Sequence, residues 1–307
     1  MLPDRRRMHL HDGPIDLIIE AFGDADEIRL AYRAASARFV SMLDELCGEL
    51  TLLRRSSIER AETPTGTIAQ RMCEAVRPYA ARIFITPMAA VAGAVAEEIL
   101  LAMTHAAQLK RAYVNNGGDI AIHLAEGEQL VLGMAQLPNK ENLSACQGAR
   151  RVSLNSEDAF GTATIDYRHA IRGVATSGWR GRSFSLGIAD SVTVLAATAS
   201  MADAAATVIA NAVDLPGHPE IGRLRARDIA PDSDLGERLV TQSVGPLAQC
   251  EILRALAAGC RVAESLRALE FICSAALSLQ GQTQIVGEQC LFQGREITSA
   301  LGVPAHA

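Results

Sequence analysis

The sequence predicts an α+β protein in which antiparallel sheets pack against helices. Two β-prone segments flank the turn-forming run NNGGD at 115–119, which is the pattern of a hairpin. Residues 169–199 indicate strands broken by glycine-rich turns, and they lead directly into a predicted helix over 200–213. Helical spacing of apolar residues over 25–54 and 246–279 supplies the long helices that would cover the sheet.

Local signals place the remaining elements. Residues 16–23 and 81–87 are predicted strands, and 128–137 adds a strand to an antiparallel meander. Thr86-Pro87 predicts a helix start, because Thr favours the cap and Pro the first helical position. In the first long helix, the predicted core stripe is formed by Leu30, Ala34, Ala37, Val40, Leu43 and Leu46.

Turn-rich composition marks residues 139–160 and 218–245 as loops. The predicted organisation is a flexible N-terminus at 1–12, a main domain at 13–245, a helical segment at 246–292 packed on it, and a tail at 293–307.

Composition excludes several function classes. With 29 basic and 35 acidic residues, the net charge is −6, which argues against a general nucleic-acid partner. Lys110 and Lys140 are the only lysines, so a lysine-based covalent mechanism has almost no candidates. Seven cysteines without a CxxC pair favour a reducing compartment. Acidic residues interrupt the apolar stretches 87–103 and 192–213, so we expect a cytoplasmic protein without a membrane span.

Three short runs carry candidate chemistry, and the first is the NNGGD loop. Its glycines and asparagines fit a tight hairpin turn. They also fit an anion nest, in which consecutive backbone N–H groups bind phosphate while Asn and Asp contact a ribose or base.

The second run is ATSGWRGRS at 175–183. It matches neither a Walker loop nor a nucleophile elbow. Arg180 and Arg182 would pair with phosphate, or they would be solvated arginines beside a tight turn and a packing Trp.

The third run is SMADAAAT at 200–207. Ser200 and Asp203 approach a capping box, which would account for both residues without any ligand. Thr207 lies one turn beyond Asp203, so both oxygens project from one face of the helix. A carboxylate and a hydroxyl at this spacing suit Mg²⁺. Because a cation opposes the dipole at a helix start, such a site requires a phosphorylated ligand that bridges the metal and the helix.

In this order, "VNNGGDI", "ATSG" and "SVTVLAATASMADAAAT" resemble the motifs of ApbE-type FAD:protein FMN transferases. The runs "FITPMAAVAGAVAEEIL", "YVNNGGDIA" and "GVATSGWRGRSFSLGIADSVTVLAATA" resemble an uncharacterised ApbE-like family of bacteria and archaea, and this resemblance covers nearly the whole chain. The resemblance implies an ApbE-like, T-fold-related architecture and an FAD site, with Mg²⁺ held by Asp203 and Thr207. It also implies transfer of FMN to a protein threonine. We expect the cofactor to contact Asn115, Asn116, Gly117, Gly118, Asp119, Thr176, Ser177, Gly178, Arg180 and Arg182.

The chain departs from the transferase pattern at two places. The transferases carry an AKGYAVD-like helix start, and the corresponding run in this chain is VAGAVAE at 91–97. Ala92 stands in place of the Lys, and Glu97 in place of the Asp. The HxxDPxTG stretch before SVTV is absent.

Three functions therefore stay open. The first is a Mg²⁺-dependent enzyme acting on FAD, or on a pterin or deazaflavin cofactor during its biosynthesis. The second is a flavin or nucleotide carrier without chemistry. The third is a structural protein with a vestigial site, whose C-terminal helix drives assembly into a homo-oligomer.

Overall fold

The computed structural model describes residues 1–58, 62–135, 159–287 and 292–293. Thirteen strands are described: β1 (Met8–Asp12), β2 (Ile15–Phe22), β3 (Arg111–Asn116), β4 (Asp119–Leu124), β5 (Gln129–Ala135), β6 (Ala159–Asp166), β7 (Gly173–Ser177), β8 (Ser191–Ala196), β9 (Ile221–Arg225), β10 (Leu239–Val244), β11 (Ser274–Leu279), β12 (Gln282–Val286) and β13 (Phe292–Gln293). The α-helices are α1 (Ala25–Gly48), α2 (Leu50–Leu53), α3 (Thr67–Ala80), α4 (Val91–Ala106), α5 (Ala199–Ala212), α6 (Ala226–Ile229) and α7 (Gln249–Ala268).

Eight strands form one antiparallel sheet in the order β1-β2-β3-β4-β7-β8-β11-β12. Helices α1, α3, α4, α5 and α7 cover one face of this sheet. The small sheet β13-β6-β5 packs on the other face, where Ile165 of β6 joins Ile122, Val174 and Leu195 in one cluster. This arrangement confirms an α+β fold of antiparallel sheets with packed helices.

The NNGGD run is a hairpin turn, as its residue types predict. Asn116 pairs with Asp119 across the β3–β4 ladder, and Gly117 and Gly118 form the two-residue loop. Their φ values of +65° and +119° lie in the region that L-side chains avoid, so both positions favour glycine.

Three predictions about local structure were wrong. Residues 81–87 form no strand, because the chain leaves α3 through a turn and then enters a short 3₁₀ helix at Pro87–Ala90. Residues 218–245 are not a loop, since β9 and β10 pair there as a hairpin. The core stripe of α1 is displaced from the predicted one and consists of Ala31, Ala35, Phe39, Met42 and Leu46.

The C-terminal helix prediction also ran too far. Helix α7 ends at Ala268, and Ser274–Leu279 is a strand inserted between β8 and β12 of the main sheet. The segment expected to pack on the domain therefore completes its sheet. At the other end, the expected flexible N-terminus contains the edge strand β1. Almost all of the predicted loop at 139–160 lies outside the described residues. The predicted tail at 293–307 also lies outside them, except for its first residue.

Among the described residues, one helical stretch, Pro87–Ala106, is long and apolar enough to cross a membrane. Of its most apolar part, 44% is buried within the fold. The same test is passed by core helices of soluble proteins, so the absence of a membrane span stays a prediction.

Candidate functional site

The site is built where the first turns of α4 and α5 meet above the sheet. Gly93 of α4 lies directly on the backbone of α5, since a Cβ at this position would stand 2.3 Å from the Ala199 carbonyl oxygen. Gly173 of β7 is equally close, with a virtual Cβ 2.1 Å from the carbonyl carbon of Thr198. Only glycine permits these approaches, which bring the start of α5 against both α4 and the sheet.

Asp203 lies in α5 and its carboxylate reaches across to α4. Its Oδ2 accepts the Gly93 N–H at 3.0 Å. The capping residue of α5 is Thr198, whose side chain accepts the Met201 N–H at 3.3 Å. The capping-box interpretation of Ser200 and Asp203 was therefore wrong. Asp203 sits too far along α5 to cap it and instead faces the first turn of α4.

Asp119, the first residue of β4, supplies a second carboxylate at this junction. Its Oδ1 accepts the Thr176 N–H at 3.1 Å. Burial raises the pKa of Asp119 to about 7, although the Thr176 amide and the charge of Arg182 oppose the rise. Burial and the negative charge of Asp119 raise the pKa of Asp203 well above its ordinary value, against the amides of Gly93 and Ala92.

The two half-buried acids therefore lie close enough for the charge of Asp119 to disfavour ionisation of Asp203. Within the described part of the chain, neither carboxylate forms an ion pair. A pair of partly desolvated carboxylates that repel each other favours whatever neutralises them, which is either a shared proton or a cation.

Asn116 and Asn115 hold the hairpin in place. The buried Asn116 donates from Nδ2 to the Ala92 carbonyl at 3.2 Å, which ties the hairpin to the start of α4. Asn115 Oδ1 accepts the Gly118 N–H at 2.8 Å and closes the turn. Both amides thus have structural partners in this structure, as the hairpin interpretation requires.

The residues of the ATSG run are divided between the two faces of the sheet. The backbone of Thr176 contacts Asp119, but its hydroxyl bonds Thr193 Oγ1 at 2.9 Å. That hydroxyl lies on the same face as Val174, which packs with the small sheet. Ser177 and Gly178 follow at the end of β7 and its exit turn.

The two predicted phosphate-binding arginines lie in different surroundings. Arg180 Nε donates to Asp190 Oδ1 at 2.6 Å, and its guanidinium packs 4.9 Å from the Trp179 ring centroid. Arg182 is exposed and lies over the hairpin turn, since a Cβ at Gly117 would stand 1.9 Å from its Nη2. Of the two, Arg182 is therefore the one beside the paired carboxylates.

Among the predicted site residues, the structure brings together Asn116, Gly117, Asp119, Arg182 and Asp203. Thr207 lies half-buried one turn beyond Asp203 on the same helix. No group of three or more His, Cys, Asp or Glu side chains among the described residues is arranged to hold a metal. Two carboxylates and a hydroxyl match Mg²⁺ better than zinc, because Mg²⁺ keeps several waters and takes phosphate oxygens as further ligands.

Sequence reasoning missed the role of Glu97, which it treated only as a departure from a family pattern. Glu97 Oε1 accepts both the backbone N–H of Ser200, at 2.6 Å, and its hydroxyl, at 2.9 Å. The signal available in the sequence was an acidic residue inside an apolar, alanine-rich helix, which requires a partner when it is buried.

The fold and the site define an α+β protein with two half-buried carboxylates at the junction of two helix starts and a β-hairpin. The chain belongs to the family described as "AbpE bacteria", whose model matches residues 1–285. A UPF0280 protein of Methanopyrus kandleri is 31% identical over 223 residues, covering 67% of this chain and 79% of that protein. A UPF0280 protein of Archaeoglobus fulgidus is 33% identical over 185 residues, covering 60% of this chain and 67% of that protein.

Proposed function

We propose that this protein binds Mg²⁺ together with a phosphorylated cofactor of the flavin type, such as FAD. The observation that carries the proposal is the Asp119–Asp203 pair, in which burial and then the negative charge of Asp119 raise the pKa of Asp203. Arranging two like charges in this way costs stability, and a divalent cation removes the cost.

The chain supplies a donor set that fits this ion. Asp119 and Asp203 would hold Mg²⁺ with the Thr207 hydroxyl, and the remaining positions would be filled by water and phosphate oxygens. Bound Mg²⁺ would neutralise the phosphates and polarise their oxygens. Arg182 lies beside the Gly117 turn, and its guanidinium would pair with a phosphate from the side of the hairpin.

A transferase acting on FAD, as the ApbE resemblance implies, would form a bond between the FMN phosphorus and the acceptor oxygen and break the pyrophosphate bond, releasing AMP and the proton of the acceptor hydroxyl. Binding without turnover is the second candidate, and one observation favours it. Position 92, where the transferases carry Lys, offers only an alanine, and the Ala92 carbonyl is engaged by Asn116. This position therefore presents no basic side chain to a ligand.

Isothermal titration of FAD with and without Mg²⁺ tests the proposal. We expect FAD to bind at least about tenfold more tightly with Mg²⁺, and this gain to vanish in Asp203→Asn. The Asn variant keeps an oxygen for the Gly93 N–H, so α4 retains its partner. Asp44→Asn is the matched control, because Asp44 is exposed on α1. Equal affinity in wild type and Asp203→Asn would contradict the proposal.

The same assay separates the cofactor classes. FMN and a phosphorylated pterin are titrated in parallel with FAD, and release of AMP from FAD is followed in the presence of a threonine-containing acceptor. Tight FAD binding without AMP release would favour the carrier, whereas preference for the pterin would favour an enzyme of another cofactor's biosynthesis.

A further inference from the structure

Helices α4 and α5 cap each other. Asp203 of α5 accepts the Gly93 N–H in the first turn of α4, and Glu97 of α4 accepts the Ser200 N–H in the first turn of α5. Both contacts satisfy amides that have no partner inside their own helix. Because Gly93 also lies against the Ala199 carbonyl, the relative position of the two helices is fixed by three contacts within two turns.

Glu97 also forms an ion pair with an arginine on a third helix. Its Oε2 lies 3.0 Å from Arg71 Nε on α3, and the Arg71 Nη1 donates to Glu98 Oε2 at 3.0 Å. Arg38 of α1 continues the network, donating from Nε to Glu98 Oε1 at 2.8 Å. Both oxygens of Glu97 are therefore engaged, one by the start of α5 and one by a cation anchored in a different helix.

We infer that Glu97 is a positioning residue for the carboxylate pair. It does not contact the proposed cation; it fixes the first turn of α5, and thereby the direction in which Asp203, three residues after Ser200, faces Asp119. The inference rests on the proposed function for its ligand, but the geometric part concerns this chain alone. Outer residues that orient metal ligands have measurable effects on metal affinity, typically 10–100-fold.

Glu97→Gln and Glu98→Gln form a matched pair for the test. The two residues are neighbours on α4 with equally exposed side chains, and both form an ion pair with Arg71, but among the hydrogen bonds of the described residues only Glu97 has one to α5. Mn²⁺ serves as the probe, because its electron paramagnetic resonance signal reports bound and free ion. We expect Glu97→Gln to weaken Mn²⁺ binding about tenfold, and Glu98→Gln to leave it within about twofold of wild type.

A second measurement does not depend on the cation. The Gly93 N–H is a first-turn amide bonded to Asp203, so its hydrogen exchange reports whether Asp203 still faces α4. Exchange at Gly93 should accelerate at least about fivefold in Glu97→Gln but not in Glu98→Gln. Glu97→Asp, which keeps the charge, should restore part of both readouts, and it replaces the Gln variant if that variant does not fold.

The outcomes separate the two proposals. Absence of Mn²⁺ binding in the wild-type protein, both alone and in the presence of FAD, would overturn the proposed function, while the Gly93 exchange would still decide the role of Glu97. Unchanged exchange at Gly93, or equal effects of Glu97→Gln and Glu98→Gln on both readouts, would overturn the positioning role.

Discussion

Replacing Asp119 by Asn should stabilise the metal-free protein at alkaline pH. The native pKa of Asp119, about 7, lies above its ordinary value of 3.8. The stabilising contribution of such a group is therefore fully present below about pH 4 and is lost as the pH rises through 7. Asn has no charge to lose and keeps an acceptor for the Thr176 N–H.

The magnitude follows from the pKa difference. A rise of about three in pKa corresponds to about 4 kcal/mol between the protonated and ionised forms. Solvent that reaches the partly buried Asp119 screens part of this energy. We therefore expect the free energy of unfolding of Asp119→Asn to exceed that of wild type by about 2 kcal/mol at pH 8 and to equal it near pH 4.

Urea unfolding at pH 4, 6 and 8 in the presence of EDTA measures this difference. Glu45→Gln is the control of opposite sign, because a hydrogen bond from Arg38 lowers the pKa of Glu45. The stabilising contribution of the Glu45 charge is present above its ordinary pKa and is lost as the pH falls through its lower native pKa. Glu45→Gln should therefore destabilise the protein slightly at pH 8. An Asp119→Asn protein that is less stable than wild type at pH 8 would refute the argument.

Two further predictions test the helix–sheet junction and the phosphate contact. Gly173→Ala should destabilise the protein by about 3 kcal/mol or more, because its Cβ would meet the backbone of Thr198. Gly133→Ala is the control and should cost under about 1 kcal/mol, because there is open space around Gly133. Thermal unfolding measures both variants, and equal melting temperatures would contradict the prediction. Arg182→Gln should weaken Mg²⁺-dependent FAD binding about tenfold in calorimetry. Arg29→Gln, on the exposed side of α1, should leave FAD binding unchanged. An equal loss of affinity in both variants would argue against a phosphate contact.

Local chemistry explains which parts of the fold were predictable. The Gly117-Gly118 turn and the Thr86-Pro87 start are specified by residues within a few positions, so the sequence predicts them. Strand β11 was not predictable in this way. All six of its residues are buried, so no alternation distinguishes it from the apolar helix before it.

The alanine-rich composition misled the assignment of the α1 core face. Large side chains usually mark the buried stripe, yet Leu30 and Val40 are exposed while Ala31 and Ala35 are buried. In a core where helices approach closely, the small residue marks the contact and the large one can remain at the surface.

The candidate site was predictable only in its parts. Asp203 and Asp119 each stand out by motif, but their repulsion arises from contacts between residues that are far apart in the chain. The bond between Glu97 and Ser200 likewise joins residues 103 positions apart. Such pairings follow from the order of strands and the packing of helices, which no local pattern contains.

One structural alternative competes for Asp203, namely that it serves only to cap α4. A cap does not require a charge, since Thr198 caps α5 with a neutral hydroxyl. Amides that donate to a carboxylate lower its pKa, yet burial and Asp119 outweigh them here and raise the pKa of Asp203. Asn or Ser at position 203 would cap α4 equally well. A second carboxylate beside a capping Asp therefore costs stability without improving the cap. Two acids with raised pKa values at one half-buried junction are typical of functional sites, and this is the reason that our proposal places the cation at this pair.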